Sequence, residues 1–394
     1  MTELADFLAS HHYTLALNGE TLTGTGVDFL QREARNARYF LFGEDHGIGS
    51  SLKFATALFK TLQPSGYNAY VTEIGPVSAK HILTLLNQPD SFKAFQQFYT
   101  THPFAIPFDW LEEELALLQS GRETPGFELI GIDQEFVLSP QLHLETLLAL
   151  CTDGELKGKI SEWLQAERAA VQEMYAGKSP DQLGLFMNLP LPPEWAALRN
   201  AFEAGRTSKA LAIMDAVTAS HEIYMHYKHE DYYLNNHVRG QLMKRYFHQA
   251  HQKQSLDTKY FIKLGANHIE RGHSSMGIQD IGNFISELAV MGNTHSFHLF
   301  VLPVSGRQNM WLPFLPAEYK AAPIEANTQP QFAPLLESVQ EKTGWQLYDL
   351  RPLRLRQSHW SQGNLEFKKF FQGYDAILLM YDVEPATLIA GEAA

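Results

Sequence analysis

The chain has 394 residues with 31 basic against 44 acidic side chains, a net charge of −13 with histidine neutral. That balance argues against a nucleic-acid or anionic-membrane partner, because phosphate binding needs clustered Lys and Arg. The hydrophobic fraction of 45% supports a large core, while the one cysteine, Cys151, excludes a disulfide framework and any multi-thiolate zinc site. No apolar run approaches the roughly 20 residues needed to span a bilayer. The first 19 residues lack the basic start and apolar stretch of a secretion signal, so a cytoplasmic location is expected.

Taken in chain order, the first strand is the apolar run Tyr39 to Phe42, which Gly43 ends. The spacing of Leu52, Ala55, Leu58, Phe59 and Leu62 predicts a helix from Ser50, stopped by Pro64 and Gly66. A second strand covers Ala69 to Val71, and Pro76 sits where a helix tolerates proline, in its first turn. Phe127 to Gly131 repeats the strand pattern. Residues 138–176 and 194–253 read as helical, separated by the proline-rich Asn188 to Trp195. Strands return at Tyr260–Leu264, Phe297–Val301 and Ala376–Met380, while Pro303–Gln346 predicts long loops with short helices. These runs, separated by helical patterns, define an α/β protein with a mostly parallel sheet flanked by helices. A strand-free stretch of this length is too long for one crossover, so residues 138–254 are expected to form a large helical insertion subdomain covering the site. Residues 1–137 and 255–394 then form the α/β core.

In open α/β sheets ligands sit at the carboxyl ends of the strands. Here those ends carry Gly43-Glu44-Asp45-His46-Gly47, Thr72-Glu73-Ile74-Gly75, Gly131-Ile132-Asp133-Gln134-Glu135 and Gly265-Ala266-Asn267-His268-Ile269-Glu270-Arg271-Gly272-His273. A histidine is suited to take a proton from water near neutral pH, and a carboxylate beside it can orient the ring. His46 and His268 with Glu44 and Glu73 are the candidates for that set. Two imidazoles and two carboxylates would equally serve a divalent metal. The histidines of His221-Glu222-Ile223-Tyr224-Met225-His226 stand about 140° apart on a helix, so this is no zincin motif. The glycines around Ser274 and Ser275 are too widely spaced for a nucleophile elbow, and Ser274 reads as a helix cap.

The ordered motifs Gly43-Glu44-Asp45-His46, Val71-Thr72-Glu73, Gly131-Ile132-Asp133, Arg239 to Met243 and Asn267-His268 resemble those of the erythromycin esterase family, which belongs to a wider α/β superfamily sharing a G-E-x-H type strand end. The resemblance covers most of residues 38–290. It implies that His46 is the general base for ester or lactone hydrolysis, that Glu44 and Glu73 are its acidic partners, and that His268 is the second active-site histidine. It places Arg239 on a helix that closes the site. Asp133, His226, Arg271 and His273 are the candidates for substrate contact. The family's Gly-Glu-x-x-His is one residue shorter here, and the first histidine of its His-Asn-x-His is replaced by Gly265. No cofactor or metal ligand is assigned, and the expected partner is a small-molecule substrate. A metal- or haem-binding relative and a non-catalytic binding protein are the two rival readings.

Overall fold

All six strands predicted from apolar runs form one contiguous parallel block. The computed structural model describes residues 2–179, 182–312, 314–324, 331–361 and 364–389. Its main sheet has nine strands: β1 (His12–Asn18), β2 (Thr21–Thr23), β3 (Tyr39–Glu44), β4 (Tyr67–Thr72), β5 (Glu128–Gly131), β6 (Lys259–Gly265), β7 (Ser296–Pro303), β8 (Trp345–Asp349) and β9 (Ala376–Met380). The spatial order is β2-β1-β8-β9-β7-β3-β6-β4-β5, and every neighbour from β9 to β5 is parallel. In β3, Tyr39 and Leu41 enter one apolar cluster while Phe40 and Phe42 enter the other. Burial of both faces is why these strands read as unbroken apolar runs. The register sets Glu44 opposite Gly265 and Thr72 opposite both Lys263 and Gly131. The chemistry-bearing residues that follow therefore leave the sheet side by side.

Three strands of this sheet were not anticipated, nor was the short pair Arg307–Gln308 and Ala322–Pro323 outside it. β1 pairs antiparallel with β2 and β8, and β8 pairs antiparallel with β9, so the sheet is mixed at this side. Most of β1 is exposed or half-buried, which removes the apolar run that marks a central strand. Within 303–346, outside residues 313 and 325–330, short elements do alternate with loops: a 3-10 turn at Ala317–Ala321 and a helix at Ala333–Ser338.

The helix predicted from Ser50 spans Gly49–Leu62, and Pro76 opens Pro76–Leu86 at its first position. The described residues of the insertion are mainly helical, in more pieces than the pattern showed, while those within 176–194 are mostly loop. Pro140–Leu150 stops before Gly154–Tyr175, where the Asp153 carboxylate accepts from the Leu156 amide. Trp195–Ala204, Ser208–Lys228 and Tyr232–His251 follow, the last capped by Asp231. Leu147, Ile160, Met187, Leu198 and Met214 give these helices an apolar cluster of their own. The final helix differs: its Met243 and Phe247 join the sheet-face cluster, with Phe247 packed edge-on to Tyr39 and Tyr260. It thereby carries Arg239 over the strand ends. Among the described residues no helix is long and apolar enough to cross a membrane.

Candidate active site

Glu44 is the last residue of β3, and the chain turns immediately through Asp45-His46-Gly47. Gly47 has φ 78°, and a Cβ there would lie 2.0 Å from the Asn309 carbonyl oxygen, so the turn admits only glycine. The turn brings His46 back over its own strand, with Nδ1 3.2 Å from Glu44 Oε1. Across the sheet, a Cβ on Gly265 would meet His46 Nε2 at 3.1 Å and Glu73 Oε2 at 3.3 Å. The bare glycine leaves room for the two to approach.

Glu73, at the end of β4, is the hub. Its Oε2 accepts from the Gly265 amide at 2.5 Å and its Oε1 from Arg239 Nη2 at 2.8 Å. Both imidazoles face it: His268 Nε2 lies 3.4 Å from Oε1 and His46 Nε2 3.7 Å from Oε2. Arg239 also grips Asp133 with two donors, Nε at 2.9 Å and Nη2 at 2.5 Å. This fork-on-carboxylate geometry fixes the guanidinium plane. His268 is held from behind by Asp280, whose Oδ2 lies 2.7 Å from Nδ1 and whose Oδ1 caps the helix Ile281–Met291. The cap of that helix is Asp280, not Ser274.

The two imidazoles differ in surroundings. The His268 side chain is 7% exposed and has a carboxylate on each nitrogen. Burial alone would lower its pKa, but the Glu73 charge and the hydrogen bonds to Asp280 and Glu73 outweigh it and raise it to about 9. It is an imidazolium at neutral pH. The His46 side chain is 36% exposed, stacks on Phe108 at 4.2 Å between ring centroids, and has an Nε2 without a hydrogen bond among the described residues. Burial opposes its charged form, yet Glu44 and Glu73 raise its pKa above the ordinary 6.5. Phe108 holds φ 67°, an uncommon conformation for a bulky residue. Burial works against the Glu73 charge, and His268, His46 and Arg239 together reverse this and hold its pKa well below the usual range.

Beneath Glu44 lies a second layer of charge. Lys263 Nζ, 3% exposed, bridges Glu44 at 2.7 Å and Glu114 at 3.0 Å, and Tyr70 donates to Glu114 at 2.6 Å. Asp109 sits nearby, raised well above the carboxylate range by burial and then by the Glu114 charge. Despite its own burial, Glu44 is pulled below its ordinary pKa, mainly by Lys263. Among the described residues no three His, Cys, Asp or Glu side chains are arranged to hold a metal ion. The carboxylates that would be its ligands already face Lys263 and Arg239.

Six sequence candidates thus converge: Glu44, His46, Glu73, Asp133, Arg239 and His268. Three others lie elsewhere. The Arg271 guanidinium is bound to Asp375, Ser286 and Ser296 below the strand ends. His226, near the end of its helix, lies 4.0 Å from Asp231. His273 lines a separate cavity beside Asp45. Sequence reading missed Asp280, Lys263, Glu114 and Phe108. Two of these left a trace: Asp280 precedes the apolar Ile281 as an N-cap does, and Lys263 interrupts an apolar strand.

Fold and site together define an α/β protein with a charged site at the carboxyl edge of a parallel sheet, and that fold is erythromycin-esterase-like. No family model and no curated protein sequence matches the chain. Solved structures do: a succinoglycan biosynthesis protein (TM-score 0.62, 13% identity, 98% of this chain and 97% of that one) and a Bacillus cereus protein (0.61, 13%, 98% and 98%). A histidine-to-asparagine mutant of the erythromycin esterase EreC in its open conformation is also similar, with TM-score 0.58 and 14% identity over 92% of this chain and 95% of that one. At such identities the likeness is one of fold.

Proposed function

We propose that the protein is an erythromycin esterase-like hydrolase that cleaves an ester, lactone or related acyl bond of a small molecule with water. One observation carries this reading: His46 is anchored at Nδ1 by Glu44 while its Nε2, on a partly exposed ring, makes no hydrogen bond among the described residues and faces the Glu73 carboxylate at 3.7 Å. In the Nδ1–H tautomer, Nε2 takes a proton from water as that oxygen attacks the acyl carbon. The imidazolium so formed is stabilised by Glu44 and Glu73. His268 and Arg239, both cationic and fixed by carboxylates, stabilise the negative charge that develops on the acyl oxygen. Collapse expels the alkoxide, which takes its proton back from His46. The roles are split by environment: a cation at neutral pH, His268 cannot be the base.

A panel of simple esters and lactones tests this. His46→Ala should abolish hydrolysis while leaving the melting temperature nearly unchanged. The rate should rise with pH through an inflection above 6.5, because the base works only when neutral. Retained activity in His46→Ala would remove it from the base role, and consistent silence across the panel, with ligand-induced stabilisation, would favour a binding protein.

A further inference from the structure

Between the carboxyl half of β7 and the helix Leu365–Gly373 lies a cavity of about 150 Å³. Its lining includes Asp45 and Asn267, the chain neighbours of His46 and His268, which sets it close to the catalytic edge. One wall is aromatic. Phe300 stacks on Tyr374 at 5.1 Å, and Phe332 meets Phe370 edge-on at 5.1 Å. Against this wall stand three carboxylates, Asp45, Glu270 and Glu366, the ammonium of Lys369 and the imidazole of His273. Lys369 pairs with Glu366, 3.3 Å away, and its charge also reaches Glu270 without forming an ion pair with it.

Glu270 is only 7% exposed and accepts a hydrogen bond from the Ser275 amide at 3.1 Å. Among the described residues neither it nor Asp45 has an ion-pair partner. A second lining group, Ser274, 4% exposed, has a hydroxyl without a hydrogen-bond partner among the described residues. Burying a carboxylate without a cation is costly, so such a group is either neutralised or completed by a ligand. Burial pushes Glu270 up to about 7, so near neutrality it is poised between these outcomes. A ring wall plus an unpaired carboxylate is the environment that favours an organic cation.

We propose that this cavity is a substrate subsite for a compact alkylammonium group, so that the enzyme acts on an ester or lactone bearing a protonated amine near its acyl bond. The size fits: drug-sized ligands need about 300–1,000 Å³, whereas this space suits a small branched amine. The ester half of this inference rests on the hydrolase reading. Cation binding stands on the cavity alone.

Calorimetry on the full chain tests it with a matched pair, isobutylammonium chloride and isobutanol. At pH 8 the ammonium should bind and the alcohol should not. Glu270→Gln, an isosteric change, should weaken the ammonium by at least about tenfold, the cost of one charge-assisted contact. Binding should also weaken below pH 7 as Glu270 takes up a proton. Asp45→Asn, at the open mouth, provides a second variant and should weaken binding by about threefold. No ammonium binding, equal binding of the alcohol, or undiminished binding by Glu270→Gln would overturn the subsite. His46→Ala should bind the ammonium as wild type does. Ammonium binding without hydrolysis of any amino ester would therefore sink the hydrolase reading alone, whereas hydrolysis of neutral and cationic esters with equal kcat/KM and no ammonium binding would sink the subsite alone.

Discussion

The two histidines stand on opposite sides of one carboxylate and are held very differently. His268 is buried, with Asp280 on one nitrogen and Glu73 near the other, and Asp280 is itself locked as a helix cap. His46 is half-exposed on the ring of Phe108, anchored at one nitrogen by Glu44. Its rigidity is borrowed, because Glu44 is fixed by Lys263 and Lys263 by Glu114. The pKa of the same side chain is thus raised to about 9 in one place and also raised above 6.5, but on a more exposed ring, in the other. Environment, not residue type, separates the two rings.

The largest way to break this contrast is to remove the borrowed support. Lys263→Met leaves Glu44 and Glu114 buried without their cation and should cost about 3–5 kcal/mol in a denaturant titration. A stability change under about 1 kcal/mol would show that His46 does not depend on this layer. Next in size is Asp280→Ala, which loses a helix cap and the partner of His268 together, an expected loss of about 1–3 kcal/mol. Asp280→Asn retains the cap and should recover part of it. His46→Ala, on the exposed side, should stay within about 1 kcal/mol of wild type.

Stability should also depend on pH in a direction set by the same contrast. The pKa of His268 is raised by folding from 6.5 to about 9, so its contribution is complete below pH 6.5 and is lost as pH climbs through about 9. Glu73 acts at the other end: its depressed pKa gives stability present above pH 4.5 and lost as pH falls further. Denaturant midpoints from pH 5 to pH 10 should decline on the alkaline side, and His268→Ala should flatten that decline. The ring beneath His46 gives the last test, with an effect about as small as that of His46→Ala. Phe108→Leu removes the stacking partner, worth about 0.5–1.5 kcal/mol, and should loosen His46 enough to lower kcat more than it raises KM.

The parallel block was legible because strands buried on both faces must be apolar at every position, as Tyr39 to Phe42 are. β1 and β8 carried no such mark: β1 is half-exposed, and β8 carries Gln346 and Asp349 in a five-residue run. The core of the site was legible for a related reason. A carboxylate or histidine placed just after an apolar run is carried to the sheet edge by the strand itself, which is how Glu44, Glu73, Asp133 and His268 were found. What stayed hidden reaches the site from elsewhere. Glu114 comes from a helix whose acidic start Glu112-Glu113-Glu114 looks like an ordinary solvated turn, and Phe108 from an irregular loop. Arg271 shows the reverse failure: sharing a segment with His268, it turns away to Asp375.

The most direct test follows the two imidazoles themselves. Nitrogen-15 NMR titration of the histidine side chains, assigned through His46→Ala and His268→Ala, should find one ring titrating near pH 9 and assign it to His268, with His46 lower but above 6.5. In Glu73→Gln both values should fall together, because one carboxylate supports both rings. Two rings that titrate independently near 6.5, unmoved by Glu73→Gln, would contradict the account.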